Sequence, residues 1–85
     1  MLNPNLKPNQ IWRHYKGNDY KIITLGKHSE TAEDMVVYEQ MHSGKIYIRP
    51  MNLFFNDVEY EGETVPRFTF ISDNWKMLNV DFKLN

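Results

Sequence analysis

The chain contains no cysteine. That excludes disulfides, thiol nucleophiles, iron–sulfur clusters and thiolate zinc sites. A secreted domain this small usually needs disulfide staples, so their absence points to a reducing, cytoplasmic setting. The opening run from Met1 to Gln10 lacks the apolar core of a secretory leader. No window is long and apolar enough for a bilayer span, so no membrane partner is expected. Neither sign of charge is in large excess: the net charge is −1, which argues against a general nucleic-acid coat protein. Glycine is scarce, and the 4 Gly lie far apart, so no Gly-rich phosphate loop is present. The 4 Pro are equally scattered, and no segment is of low complexity.

What is present suits one folded domain. Apolar residues make up 41% of the 85 residues and aromatics 14%, too many for a disordered segment. A chain of this length buries roughly 60–65% of its unfolded surface, so modest stability is expected. The charges are unevenly placed. Residues 1–28 carry five Lys or Arg against the single acid Asp19, whereas residues 29–63 carry eight acids against Lys45 and Arg49. A fold that kept these segments apart would have a basic and an acidic side; ordinary solvated surface charge is the plainer reading.

Local patterns indicate short strands. Residues 1–9, with two Pro and three Asn, are read as a flexible or loosely docked arm. Ile11 to Tyr15 is bulky and aromatic, Lys16-Gly17-Asn18-Asp19 is turn chemistry, and Tyr20 to Leu25 is rich in β-branched residues, which together predict a hairpin. His28 to Asp34 is polar and is read as a loop or single helical turn, although Thr31 and Asp34 have capping-box spacing. Met35 to Gln40 and Lys45 to Arg49 are the next strands, the latter stopped by Pro50. Met51 to Asn56 predicts one helical turn plugging the core. Val58 to Tyr60 and Thr64-Val65 form a second hairpin around Glu61-Gly62-Glu63, and Arg67 to Ile71 a further strand. Val80 to Leu84 alternates with period two and, within residues 72–85, is read as an extra edge strand or subunit contact. The expected fold is mainly β: a small barrel, or a strongly bent antiparallel sheet of five to six short strands, with at most one short helical turn.

Five stretches in this order resemble a bacterial family, domain of unknown function 1653: Trp12 to Asn18, His28 to Thr31, Val36 to Tyr38, Ile48 to Pro50, and Val65 to Phe68. The resemblance spans roughly residues 10–71. It implies an SH3-like small β-barrel and brings no activity with it. The chain departs from the family pattern at Tyr47-Ile48, where a Trp-Val pair is more usual, and in residues 72–85, an added extension.

Three groups of residues could carry chemistry. The first is the aromatic–basic run Trp12, Arg13, His14, Tyr15, Lys16, followed by Tyr20 and Lys21, since single strands are held by cations on phosphates and rings under bases. Strand alternation sends Trp12, His14 and Lys16 one way and Arg13 and Tyr15 the other, so half the run must build core. The second is the loop His28-Ser29-Glu30-Thr31, a polar-ligand site or a self-capped turn. The third is Arg49 with Arg67, whose guanidinium forks suit phosphates and carboxylates but could equally pair with Glu30 or Glu39. His14, His28 and His42 lack the short spacing of a metal site, and Ser29 adjoins His28 too closely for a triad, so no metal, cofactor or catalytic set is assigned.

The resulting expectation is a binding module for an anionic ligand, a nucleotide or a short single strand. Arg13, His14, Tyr15, His28, Glu30, Tyr47 and Arg49 are its candidate site. The alternative is a protein-interaction module using the acidic segment or the C-terminal strand; under either reading a monomer or weak homodimer is expected. A small hydrolase-like enzyme using His28 and Glu30 as acid and base is the third and weakest reading.

Overall fold

Three glycines decide where the chain reverses. Gly17, Gly44 and Gly62 all have positive φ, which side-chain-bearing residues resist. The computed structural model describes residues 6–75. Within them the order is β1 (Ile11–His14), β2 (Asp19–Lys27), β3 (Asp34–Gln40), β4 (Ile46–Pro50), α1 (Met51–Phe54), β5 (Asp57–Tyr60), β6 (Glu63–Pro66) and β7 (Phe68–Ser72).

Seven strands replace the expected five or six. Five of them form one antiparallel sheet in the order β4-β3-β2-β1-β7, and β5 and β6 form a separate hairpin. Glu61 and Gly62 both have positive φ, as the primed two-residue turn of a tight hairpin demands. Of the two architectures left open by the sequence, the described residues form the bent sheet. No pairing joins β4 to β7, so these strands do not close a barrel. Register shifts at Ile22/Thr24 and at Ile11/Trp12 introduce bulges that bend the sheet.

One face of the sheet carries the core. Trp12, Tyr20, Ile22, Val36, Tyr38 and Phe68 are buried there with Leu6 and Phe54. Phe54 belongs to the predicted helical turn. Pro50 ends β4, supplies no side-chain cap, and leaves α1 to be held by burial of Phe54. Its ring stacks on Phe68 at 4.1 Å and 4° and meets Trp12 and Tyr38 edge-on. The described part of the expected N-terminal arm is docked: Leu6 is in the core, and the Asn9 N–H donates to the Ile22 carbonyl at 2.8 Å. Gln10, nearly fully buried, accepts from the Trp12 indole at 3.0 Å and the Lys7 amide at 3.0 Å. The extra strand expected near Val80 to Leu84 lies outside the described residues. No described helix is long and apolar enough to cross a membrane.

Candidate functional site

The seven candidate residues do not form one cluster. Arg13 pairs across the first hairpin with Asp19, to which Nε donates at 2.7 Å and Nη2 at 3.1 Å. Since Trp12 and Tyr20 face the core, Arg13 and Asp19 face away from it. The Asp19 carboxylate raises the guanidinium's proton affinity further. Arg13 therefore does not join His14. His28 and Glu30 lie in the loop beyond the far end of β2, exposed. Eight residues of chain separate Tyr20 from His28, about 25 Å if fully extended. There His28 Nδ1 accepts from the Glu30 amide at 3.2 Å and the Thr31 amide at 3.4 Å. The Glu33 amide donates to the Thr31 hydroxyl at 3.2 Å. The loop uses its polar groups to close on itself.

His14, Tyr15, Tyr47 and Arg49 do come together. His14 shares the core face with Trp12 and meets Phe68 edge-on at 5.0 Å. Alternation would put Tyr15 on the Arg13 face, but β1 ends at His14, and the turn brings the Tyr15 ring to 4.4 Å from the imidazole. Tyr47 and Arg49 sit opposite Tyr38 and Val36 in the β3–β4 register, so both lean toward the core side. Tyr47 stacks on Tyr38 at 5.8 Å and 27°, and Arg49 Nε donates to the Tyr38 hydroxyl at 3.0 Å.

Arg67, a secondary candidate, belongs with this group. Its Nε donates to Asn56 Oδ1 at 2.8 Å, its amide donates to the Asn56 carbonyl at 3.0 Å, and its own carbonyl accepts from the Tyr15 amide at 2.9 Å. Among the described residues neither Arg49 nor Arg67 has a carboxylate within ion-pair distance, and their terminal nitrogens have no hydrogen-bond partner. Glu39, considered for Arg49, holds Lys21 instead at 3.6 Å. Three of the five cations in residues 1–28 are neutralised in this way: Arg13 by Asp19, Lys21 by Glu39 and Lys27 by Asp34. Two of the eight acids of residues 29–63, Asp34 and Glu39, thus meet the basic segment at contact distance, and Asp19 lies within it. Among the described residues, cations without a paired carboxylate gather instead around His14.

The imidazole registers that charge. Burial first, then the fields of Arg67, Arg49 and Lys16, hold His14 below its ordinary proton affinity. Its Nδ1 accepts from the Lys16 amide at 3.1 Å, which leaves the neutral ring's proton on Nε2 as a donor. Tyr20, beneath the site, has its hydroxyl proton held more tightly by burial. The Gln40 amide donates to that hydroxyl at 3.3 Å. Two guanidinium forks, one imidazole N–H and surrounding rings can hold oxyanions and stack on planar groups. No cluster of three or more His, Asp or Glu among the described residues is arranged for a metal ion.

Fold and site together define a small antiparallel β domain with a basic, aromatic face on the core side of its sheet. The chain belongs to the family described as protein of unknown function DUF1653, whose model matches residues 10–70. A crystal structure of a protein of that family from Bordetella bronchiseptica has a TM-score of 0.69 to this chain at 27% sequence identity, covering 79% of this chain and 88% of the other. No curated protein matches.

Proposed function

We propose that the face around His14 binds an anionic ligand carrying a planar ring, of the nucleotide class. Arg49, Arg67 and the His14 Nε2–H supply donors for phosphate oxygens, and Tyr47, 40% exposed, offers a stacking surface. The observation that carries this reading is the pair of half-buried guanidinium groups that press on His14 without a carboxylate among the described residues. Such an arrangement adds repulsion rather than stability to the fold, and charge perturbations of this kind gather where ligands bind. The test is calorimetric titration with nucleoside monophosphates at low and moderate salt. Removing one charge-assisted hydrogen bond costs about 1.5–3 kcal/mol, so Arg49→Ala or Arg67→Ala should each weaken binding by roughly tenfold or more. Heat-free titrations at both salts, with the protein folded by circular dichroism, would sink the proposal.

A second reading has its own observation. Among the described residues β4 pairs on one side only, and its outward Ile46 and Ile48 are 54% and 65% exposed. A bare apolar edge of this kind suits strand addition by a protein partner. Ile48→Lys would abolish that contact and spare nucleotide binding, whereas Arg67→Ala would do the reverse.

A further inference from the structure

The rings near His14 form a line. Tyr60 meets Tyr15 at 5.1 Å, Tyr15 meets His14 at 4.4 Å, His14 meets Tyr20 at 6.3 Å, and Tyr20 meets Tyr47 at 6.1 Å. The two terminal rings are the open ones: Tyr60 is 39% exposed and Tyr47 40%, while Tyr20 between them is buried. Cations accompany the inner rings, while Glu59 and Glu61 flank Tyr60. Lys16 Nζ lies 5.9 Å from the Tyr15 ring centre, the Arg67 carbonyl accepts from the Tyr15 amide, and Arg49 donates to Tyr38, on which Tyr47 stacks.

We infer that this face takes single-stranded nucleic acid along its length, with one base on Tyr47, another on Tyr60, and the intervening phosphates on Arg49, Arg67, Lys16 and His14. This rests on the nucleotide-class reading above and extends it from a single nucleotide to a strand. A mononucleotide can use only one terminal ring, so it leaves the second platform and part of the cationic centre idle. The strand also gives a purpose to the β5–β6 hairpin, which pairs apart from the main sheet and delivers Tyr60 to the far end of the line. The rings read stacking faces rather than base edges, so the expected binding is tolerant of sequence.

The experiment compares thymidine monophosphate with an oligothymidylate of about eight nucleotides, within the site sizes of small single-strand binding modules. Both are titrated against the full chain by calorimetry, with a duplex of the same length as a third probe. The expected result is binding of the oligomer at least tenfold tighter than the monomer, and weaker binding of the duplex, whose bases are already stacked. Tyr60→Ala should lower oligomer affinity by roughly tenfold, and Tyr60→Phe, which keeps the ring, should restore it. If monomer and oligomer bind equally and both depend on Arg49 and Arg67, the strand is overturned while the nucleotide site stands. If the duplex binds as tightly as the single strand, or Tyr60→Ala changes nothing, stacking at the second ring is refuted. If no probe binds, both readings fall.

Discussion

Two polar regions, the β2–β3 loop and the basic face, treat their side chains in opposite ways. At the loop end, His28 caps amides two and three residues ahead, Thr31 accepts from Glu33, and Lys27 meets Asp34 at 2.7 Å. On the core side of the sheet, Arg49 and Arg67 are fixed through Nε alone, by a tyrosine hydroxyl and an asparagine, and keep their fork tips unused among the described residues. A site is thus marked by where hydrogen bonds stop, not by how polar a stretch is. The loop satisfies itself; the basic face is oriented and left unsatisfied.

The largest expected effect tests the support beneath the basic face. Phe54 is fully buried, stacks on Phe68 and touches Trp12 and Tyr38, which in turn orient His14, Tyr47 and Arg49. Replacing a buried Phe by Ala typically costs about 3–5 kcal/mol. Phe54→Ala should lower the unfolding free energy by that order, read as a lower denaturant midpoint, a large share of what a domain this size has. If it unfolds at the wild-type midpoint, α1 does not plug the core.

A smaller effect separates the two regions by pH. His14 has its proton affinity depressed below the ordinary 6.5 by burial and by Arg67, Arg49 and Lys16. The unfolded chain therefore binds more protons than the folded one between the folded value and 6.5. The stability His14 contributes is fully present above about pH 6.5 and is lost as pH falls through its folded value. His14→Gln should flatten that slope in a thermal melt series. Anion binding has the opposite sign, because a phosphate beside the ring favours imidazolium. Affinity should rise a few-fold as pH falls below about 6.5, with proton uptake visible in buffers of different ionisation enthalpy. A stability slope without the opposed binding slope would mean His14 is only packing.

Much of this fold is readable from local chemistry. The turns at Gly17, Gly44 and Gly62, the stop at Pro50 and the apolar plug at Phe54 are each set by a few adjacent residues. Strand parity also foretells that Arg13 and His14 diverge. What stays hidden depends on distant pairing. β1 pairs with β7 across more than fifty residues of sequence, and only that ladder sets Arg67 against Tyr15 and Phe68 under His14. Tyr60 carries no local sign of a site residue, since nothing near it in sequence tells that its hairpin reaches Tyr15. The Arg13–Asp19 pair is legible in principle: a hairpin turning at Gly17 puts the two opposite each other. The loop motif at His28 misleads for the converse reason, because residues that close a turn and residues that bind a ligand are the same types.

The smallest expected effect is the most direct check on the comparison between the loop and the basic face. His28→Ala removes the acceptor for two loop amides, yet the loop is exposed and water can replace it. The cost should be no more than about 1 kcal/mol. Glu30→Ala removes an exposed carboxylate for which no ion pair is seen among the described residues, and should change stability by less than about 0.5 kcal/mol. Neither should alter nucleotide affinity by more than about twofold, since both side chains are exposed and surface charge effects are screened at physiological salt. Calorimetry on both variants beside Arg67→Ala makes the contrast quantitative. A tenfold loss from either loop variant would join the loop and the basic face into one site, and self-closure of the loop would then be its resting state rather than its purpose.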